Sequence, residues 1–333
     1  MSIKAGVIGL GVGEAHINGY QSHPECEVVA ICDFKKEKLK EVSEKHPEVT
    51  ITTDANEILT DPAIDVVSIA SYDNFHFEQI DKGLDYGKHL FIEKPICLFE
   101  SEAKRILDKL QGRPEIKISS NLILRKSERF SDLKKRIENR KLGDIYYVKG
   151  AYNYGRIKKI TEGWRGKIDF YSVIYGGGVH LIDLIQWMLK GKITEVATFA
   201  NRIATNGSSF KNFDFTSSIL RFDNEVTASL NCNFGCVHPH FHQFEVYGTE
   251  ATFINQPNHA EWFINRNASS REIIKTKYPG VQKGDLIHDF IDAILQDRSP
   301  EVSLEDIFSV MSICFALEKS AHSGDVEEVN YLI

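Results

Sequence analysis

Three groups of residues carry side chains and spacings suited to chemistry. Glu93-Lys94-Pro95 ends the apolar run His89-Leu90-Phe91-Ile92. A lysine at a strand end can hold a hydroxyl or carbonyl oxygen through its ammonium, and partial burial brings its pKa toward neutrality. Far along the chain, Gly176-Gly177-Gly178 precedes Val179-His180-Leu181-Ile182-Asp183. His180 and Asp183 are three apart on a predicted helix and share a face. An imidazole, with an ordinary pKa of about 6.5, can take an alcohol proton. Near the start, Gly9-Leu10-Gly11-Val12-Gly13 reads as a turn whose backbone N–H groups approach a pyrophosphate at a helix N-terminus. A nucleotide turn, a strand-end lysine and a distant histidine together suit the joint movement of a hydride and a proton.

The glycine turn is one residue shorter than the G-x-G-x-x-G spacing, so Asp33 matters. It lies about 20 residues on, at the end of the second predicted strand, where a carboxylate accepts hydrogen bonds from ribose hydroxyls. Its charge repels a 2′-phosphate, which favours NAD. Lys35 and Lys36 follow directly and can reach a phosphate, which keeps NADP open. Glu14 would be unfavourable beside phosphates and reads instead as a partner of the helix dipole in the first turn.

The elements that must hold these groups follow two rhythms. Short apolar runs at 4–8, 28–32, 66–70, 89–92 and 117–120 alternate with helical patterns at 14–22, 36–45, 77–86 and 100–110. That alternation predicts a parallel sheet covered by helices on both faces. After residue 121 comes a helix at 128–140, which leads into the run Ile145-Tyr146-Tyr147-Val148-Lys149-Gly150-Ala151-Tyr152 and then an irregular loop to 178. Strands follow at 196–201, 215–222, 226–232, 243–247, 252–255 and 261–265, an antiparallel pattern. Two helices close the chain: one at 285–296, and one opened by Ser303 and Asp306 in a capping box. The expected boundaries are 1–121 for an α/β nucleotide-binding domain and 122–333 for an α+β domain with a large open sheet, mostly antiparallel.

At 333 residues the chain is long enough for two cores. Forty basic against 47 acidic residues, a net charge of -7, argue against a nucleic-acid partner. The absence of an apolar leader or of an apolar stretch of about 18 residues points away from export and membrane. Six scattered cysteines read as reduced thiols, and the expected location is the cytoplasm. Cys232, Cys236, His238, His240 and His242 invite a metal reading. Their spacing does not match paired zinc ligands, and strand residues alternate faces, so no metal is expected. The stretch reads first as ordinary strand residues, with His240 or His242 as the candidate substrate contact.

The chain resembles the Gfo/Idh/MocA oxidoreductases, the family of glucose–fructose oxidoreductase and inositol dehydrogenase. The resemblance runs through the glycine turn with His16, Asp33, Ala70 to His76, Gly87 to Pro95, Asn121, Trp164-Arg165, Gly178 to Asp183, Phe244 to Thr252 and Asp289 to Ala293. It implies a Rossmann domain in which Gly9, Gly11, Val12, Gly13 and Asp33 hold the cofactor. Ser71, Tyr72 and His76 would line its cleft, and Glu93, Lys94 and Asn121 would lie toward the nicotinamide. It implies that Pro95 follows a cis bond, that Lys94 and His180 share the proton, and that copies associate as a dimer or tetramer through the flat sheet. Arg125 and Arg165 are candidate donors to a substrate, and Asp183 a further contact. Family members often carry an aspartate where this chain has Gly176, so either Lys94 with His180 suffices, or Asp183, Tyr175 or Tyr171 contributes in its place. The expected activity is oxidation of a secondary alcohol on a sugar, cyclitol or nucleotide-linked sugar, or the reverse reduction. A cofactor-binding regulator of the same fold, and a reductase of a non-sugar carbonyl or dihydrodiol, are the alternatives.

Overall fold

The computed structural model describes residues 2–267 and 270–333. The chain forms two compact units: residues 1–123 with 282–308, and 124–281 with 309–333. The helix at 287–295 therefore packs with the N-terminal unit, although it follows the second sheet in sequence.

In the first unit, six strands form a parallel sheet: β1 (Ile3–Ile8), β2 (Cys26–Cys32), β3 (Thr50–Thr52), β4 (Val66–Ile69), β5 (His89–Ile92) and β6 (Ile118–Ser120). Their order is β3-β2-β1-β4-β5-β6, with every pairing parallel. All four residues of β4 are buried, as expected of a strand with helices over both faces. The order reverses between β1 and β4, and an open α/β sheet binds its ligand outside the carboxyl ends of the strands at such a switch point. Edge strand β3 has only three residues, too few for a periodic signal, and it is absent from the sequence-based expectation.

Helix Gly13–Gln21 crosses Ile287–Leu295 closely enough that glycine is needed on both sides. A Cβ on Gly19 would meet the Gly284 carbonyl oxygen at 2.9 Å, and one on Gly284 the Ala15 oxygen at 2.8 Å. Phe290 packs against Phe91 of β5, with ring centroids 5.6 Å apart. The capping box is present: Asp306 N donates to Ser303 Oγ, and Ser303 N donates to Asp306 Oδ2.

In the second unit, the described strands are β7 (Ile145–Asn153), β8 (Ile193–Asn201), β9 (Phe215–Phe222), β10 (Thr227–Asn233), β11 (Phe241–Gly248), β12 (Thr252–Asn255), β13 (Ala260–Phe263), β14 (Arg271–Ile274) and β15 (Val326–Glu328). Their order is β14-β13-β12-β11-β7-β10-β9-β8-β15, and β7 with β10 is the parallel pair among otherwise antiparallel neighbours. Burial alternates along β9 and β10, the pattern of a sheet with one buried face. Helix Val179–Met188, which carries His180, lies on that buried face: Leu181 meets Gly150 of β7. Phe199, Ile219 and Val326 stand exposed on the other face.

Candidate active site

The glycine turn is built as its residues require. Gly9 has φ +87°, and a Cβ there would meet the Ala70 carbonyl oxygen at 2.4 Å. Gly13 opens the helix, where a Cβ would lie 2.9 Å from Val7 Cγ1 and 3.2 Å from Ala70 Cβ. The shorter spacing thus still supplies a tight turn and a close helix–strand contact. Gly11 and Val12 are exposed between them, and a Cβ on Gly11 would meet nothing within 4 Å. That exposed stretch of backbone, ahead of a nine-residue helix, fits a pyrophosphate.

Asp33 closes the other side of the turn. Its Oδ2 accepts from Leu10 N and its Oδ1 from Lys35 N, both at 2.8 Å, so the carboxylate is fixed at the end of β2. Phe34 is 60 % exposed beside it and meets Tyr72 edge-on at 5.5 Å. Phe34 was missed in the sequence, although a Phe following a strand-end Asp is a legible signal. Glu14 is turned toward helix Lys36–Ser43, bonded to Lys38 at 2.7 Å and to Lys45 at 2.6 Å. Those hydrogen bonds hold its carboxyl below the ordinary value of 4.5, and its charge is answered locally.

The strand end that carries Lys94 is anchored by a buried polar chain. Asn121 Nδ2 donates to Glu93 Oε1 at 2.7 Å and lies 2.9 Å from the Lys283 carbonyl oxygen. His16 Nε2 is 3.4 Å from Glu93 Oε1, and its Nδ1 is 3.1 Å from Ser68 Oγ, which is 3.1 Å from Tyr20 Oη. Burial would raise the Glu93 carboxyl, but the Lys283 ammonium and His16 outweigh it and hold it well below 4.5. The Lys94–Pro95 bond is cis, as the resemblance implied. His76 Nδ1 donates to the Pro95 carbonyl oxygen at 2.6 Å, and its Nε2 lies 3.2 Å from the Ser71 oxygen. His76 thereby joins the Ser71–Tyr72 loop to the segment after Lys94, while Ser71 Oγ donates to Gln79 at 2.8 Å. Lys94 itself is half-buried, whereas Glu93, His76 and Asn121 are buried.

A carboxyl with a depressed folded-state value contributes stability that is full above its unfolded value, near 4.5, and lost as pH falls toward the folded one. Replacing Glu93 by Gln should therefore flatten the loss of thermal stability below about pH 4.5, measured as the melting midpoint across a pH series. An unchanged slope would show that the carboxylate is not held as an anion.

In the second unit, His180 stands at the start of helix Val179–Met188, directly after a π-helical turn, Ile174–Gly178. His180 and His242 rings meet edge-on at 5.9 Å, and His242 lies 4.9 Å from both His240 and Tyr152. His240 Nε2 is 3.0 Å from Tyr152 Oη. Burial pushes the Tyr152 phenol up, so it keeps its proton. Tyr152 and His242 face one another across the β7–β11 pairing, a cross-strand partnership that period-2 reading of either strand alone does not reveal. Asp183 is fully buried and paired with Arg125: Nη2 to Oδ1 at 2.6 Å, Nε to Oδ1 and Oδ2 at 3.0 and 3.1 Å. Arg165 Nε donates to Tyr171 Oη at 3.1 Å, and its guanidinium lies 4.4 Å from the Trp164 ring. Cys232 packs against Gly178, and burial pushes its thiol up to about 12. Among the described residues no group of three or more His, Cys, Asp or Glu is arranged to hold a metal ion.

Known proteins match both halves. Residues 3–119 match the oxidoreductase family, NAD-binding Rossmann fold, and residues 130–254 match the GFO/IDH/MocA C-terminal domain. The chain is 25 % identical over 337 residues to scyllo-inositol 2-dehydrogenase (NAD(+)) of Bacillus subtilis, covering 97 % of this chain and 95 % of that protein. It is 28 % identical over 206 residues to inositol 2-dehydrogenase/D-chiro-inositol 3-dehydrogenase of Lacticaseibacillus casei, covering 59 % and 56 %. The structure of levoglucosan dehydrogenase with NADH and levoglucosan shares the fold at TM-score 0.85 and 22 % identity, over 99 % of this chain and 100 % of that one. Two matches in chain order, one to each half of a single architecture, place this chain in the GFO/IDH/MocA oxidoreductase family as an NAD-dependent enzyme.

Proposed function

We propose that this enzyme passes a hydride between NAD and a secondary alcohol or ketone of a sugar, cyclitol or nucleotide-linked sugar, with Lys94 and His180 handling the proton. The observation that carries the reading is the buried anchor ahead of Lys94. Glu93 is fixed by His16 and Asn121, an arrangement that aims one ammonium and would be wasted on a surface lysine. The relatives named for scyllo-inositol and levoglucosan support a polyhydroxylated ring as substrate.

Bound NAD supplies the hydride acceptor in oxidation and the donor in reduction. The turn Gly9 to Gly13 presents backbone N–H groups to the phosphates, and Asp33 accepts from the ribose hydroxyls, which favours NAD over NADP. The Lys94 ammonium holds the reacting oxygen and stabilises negative charge that develops on it. The His180 imidazole takes the hydroxyl proton in oxidation and returns it in reduction. Asp183, clamped by Arg125, sets the helical turn that carries His180. His240 and Arg165 bind other hydroxyls of the ring. In this reading the first unit holds the cofactor, and the second holds the substrate and joins copies of the chain through its exposed sheet face as a dimer or tetramer. The buried thiols of Cys26, Cys32 and Cys97 suit the reducing cytoplasm. Among the described residues, no helix is long and apolar enough to cross a membrane.

The test is a panel of myo-inositol, scyllo-inositol, levoglucosan, L-sorbose and nucleotide sugars, followed at the nicotinamide absorbance with NAD and NADP in parallel. Turnover of at least one ring, faster with NAD, is expected. Tight NAD binding without turnover of any of them would overturn the reading in favour of a cofactor-binding regulator.

A further inference from the structure

Three glycines in a row, Gly176 to Gly178, lead into His180, and a glycine backbone loses the most freedom when it is held in one conformation. The turn they close, Ile174–Gly178, is π-helical, and like any helix it opens with N–H groups that lack a partner inside it. Ser172 meets them. Its Oγ accepts from Ile174 N at 3.1 Å and from Tyr175 N at 3.2 Å, and its carbonyl oxygen accepts from Gly176 N at 2.9 Å. A hydroxyl has one hydrogen to give. Ser172 gives it to Glu318 Oε2 at 2.5 Å, which leaves the hydroxyl's lone pairs to the two amides. Glu318 stands on helix Leu304–Ser323, in the part that belongs to the second unit. Its other oxygen, Oε1, is 3.2 Å from His322 Nε2 one turn further on, so the carboxyl is held at both oxygens.

We propose that Glu318 is a positioning residue for His180: through the Ser172 hydroxyl it fixes the start of the glycine turn, and with it the direction in which the imidazole is presented. This rests on His180 acting as the proton-handling group. Packing seats the turn on the sheet. A Cβ on Gly177 would meet the Tyr152 ring at 2.4 Å and one on Gly178 the Cys232 sulfur at 2.6 Å, so the bare turn lies directly on β7 and β10. Contact of that kind stops motion toward the sheet, whereas motion along it is stopped by directional bonds such as those of Ser172. The same terminal helix reaches both the turn and the helix that follows it. The Phe315 ring meets the Tyr175 ring edge-on at 5.9 Å, and Ser309 Oγ accepts from Gln186 Nε2 at 2.9 Å. Glu318 thus belongs to a scaffold that grips the His180 segment on either side of the imidazole. What Ser172 needs from residue 318 is an accepting oxygen; neither its charge nor any reach to substrate is required.

The test compares S172A, E318M, the double variant S172A/E318M, E318Q and H180A. The His180 ring signal is followed by NMR in protein labelled at the histidine Cε1 and is identified by its loss in H180A. Melting midpoints and NADH binding are measured on all five, and kcat and KM on each turned-over compound of the panel named above. S172A and E318M should each shift or broaden the His180 signal. Each should lower kcat about tenfold at unchanged KM and NADH affinity, the worth of one hydrogen bond that matters only in the transition state. S172A removes a single oxygen atom and carries the test should E318M not fold. E318Q keeps an accepting oxygen and should stay within about twofold of the wild type. Because the two residues act in series, the double variant should lose no more than S172A alone. A wild-type His180 signal in S172A, losses that multiply in the double variant, or E318Q as impaired as E318M would overturn the proposal. Variants that only melt lower, with signal and kcat unchanged, would overturn it too. H180A separates the two ideas: if it retains turnover, the underlying reading fails, while the ring signal still decides what Ser172 and Glu318 hold. That signal decides the positioning role whether or not the panel contains a substrate.

Discussion

Replacing Lys94 by Ala should lower kcat/KM by on the order of 10²–10⁴, the range lost when a positioned proton-handling or charge-stabilising group is removed. NADH binding, followed by the fluorescence of its reduced nicotinamide, should stay within about twofold, because the turn and Asp33 lie on other strands. The physical reason for so large an effect is the anchor. Glu93 is 5 % exposed, held at 2.7 Å by Asn121, and charged because the Lys283 ammonium and His16 offset its burial. Such a network is costly unless fully satisfied, so what it fixes should matter to function. Lys94→Arg separates charge from geometry. A guanidinium keeps the charge but is broad and forked, and it should rescue little. Turnover unchanged in Lys94→Ala would remove the lysine from the mechanism. A loss matched by an equal loss of NAD affinity would make it a cofactor ligand instead.

The parallel sheet was legible because short, mostly apolar runs such as Val66–Ile69 and His89–Ile92 alternate with helical patterns, and strands covered on both faces look like that. Thr50–Thr52 escaped because three residues at an edge carry no period. The cofactor turn was legible despite its shortened spacing, since Gly13 takes the packing role that a third glycine ordinarily serves one residue later. What spacing could not reveal are the non-local partners. His16 and Glu93 are far apart in the chain, and only the fold brings them to 3.4 Å. The three glycines read as a helix entrance, whereas their bareness answers three side chains on other segments: Tyr171, Tyr152 and Cys232. The face shared by His180 and Asp183 suggested two groups turned to a substrate. The structure turns Asp183 to a guanidinium 58 residues away in the chain.

That pair leads to the second large effect. Arg125 and Asp183 have side chains 2 % and 0 % exposed, and their contacts include Nη2 to Oδ1 at 2.6 Å and Nε to Oδ1 and Oδ2 at 3.0 and 3.1 Å. Asp183→Asn keeps the shape and removes the negative charge that faces this buried guanidinium. The expected cost is about 3–5 kcal/mol of unfolding free energy, read from urea denaturation. The double variant Arg125→Met with Asp183→Leu should recover most of it, because a buried ion pair replaced by apolar groups of similar volume is often neutral or better. Activity should not follow stability. Asp183 lies one turn beyond His180 on the same helix, and the clamp fixes the direction of that turn against the buried side of the sheet, so the double variant should fold well and still turn over slowly, with NAD binding intact. If instead the double variant recovers full kcat, the pair is structural only. If Asp183→Asn costs less than about 1 kcal/mol, the guanidinium is not as dry as its burial implies.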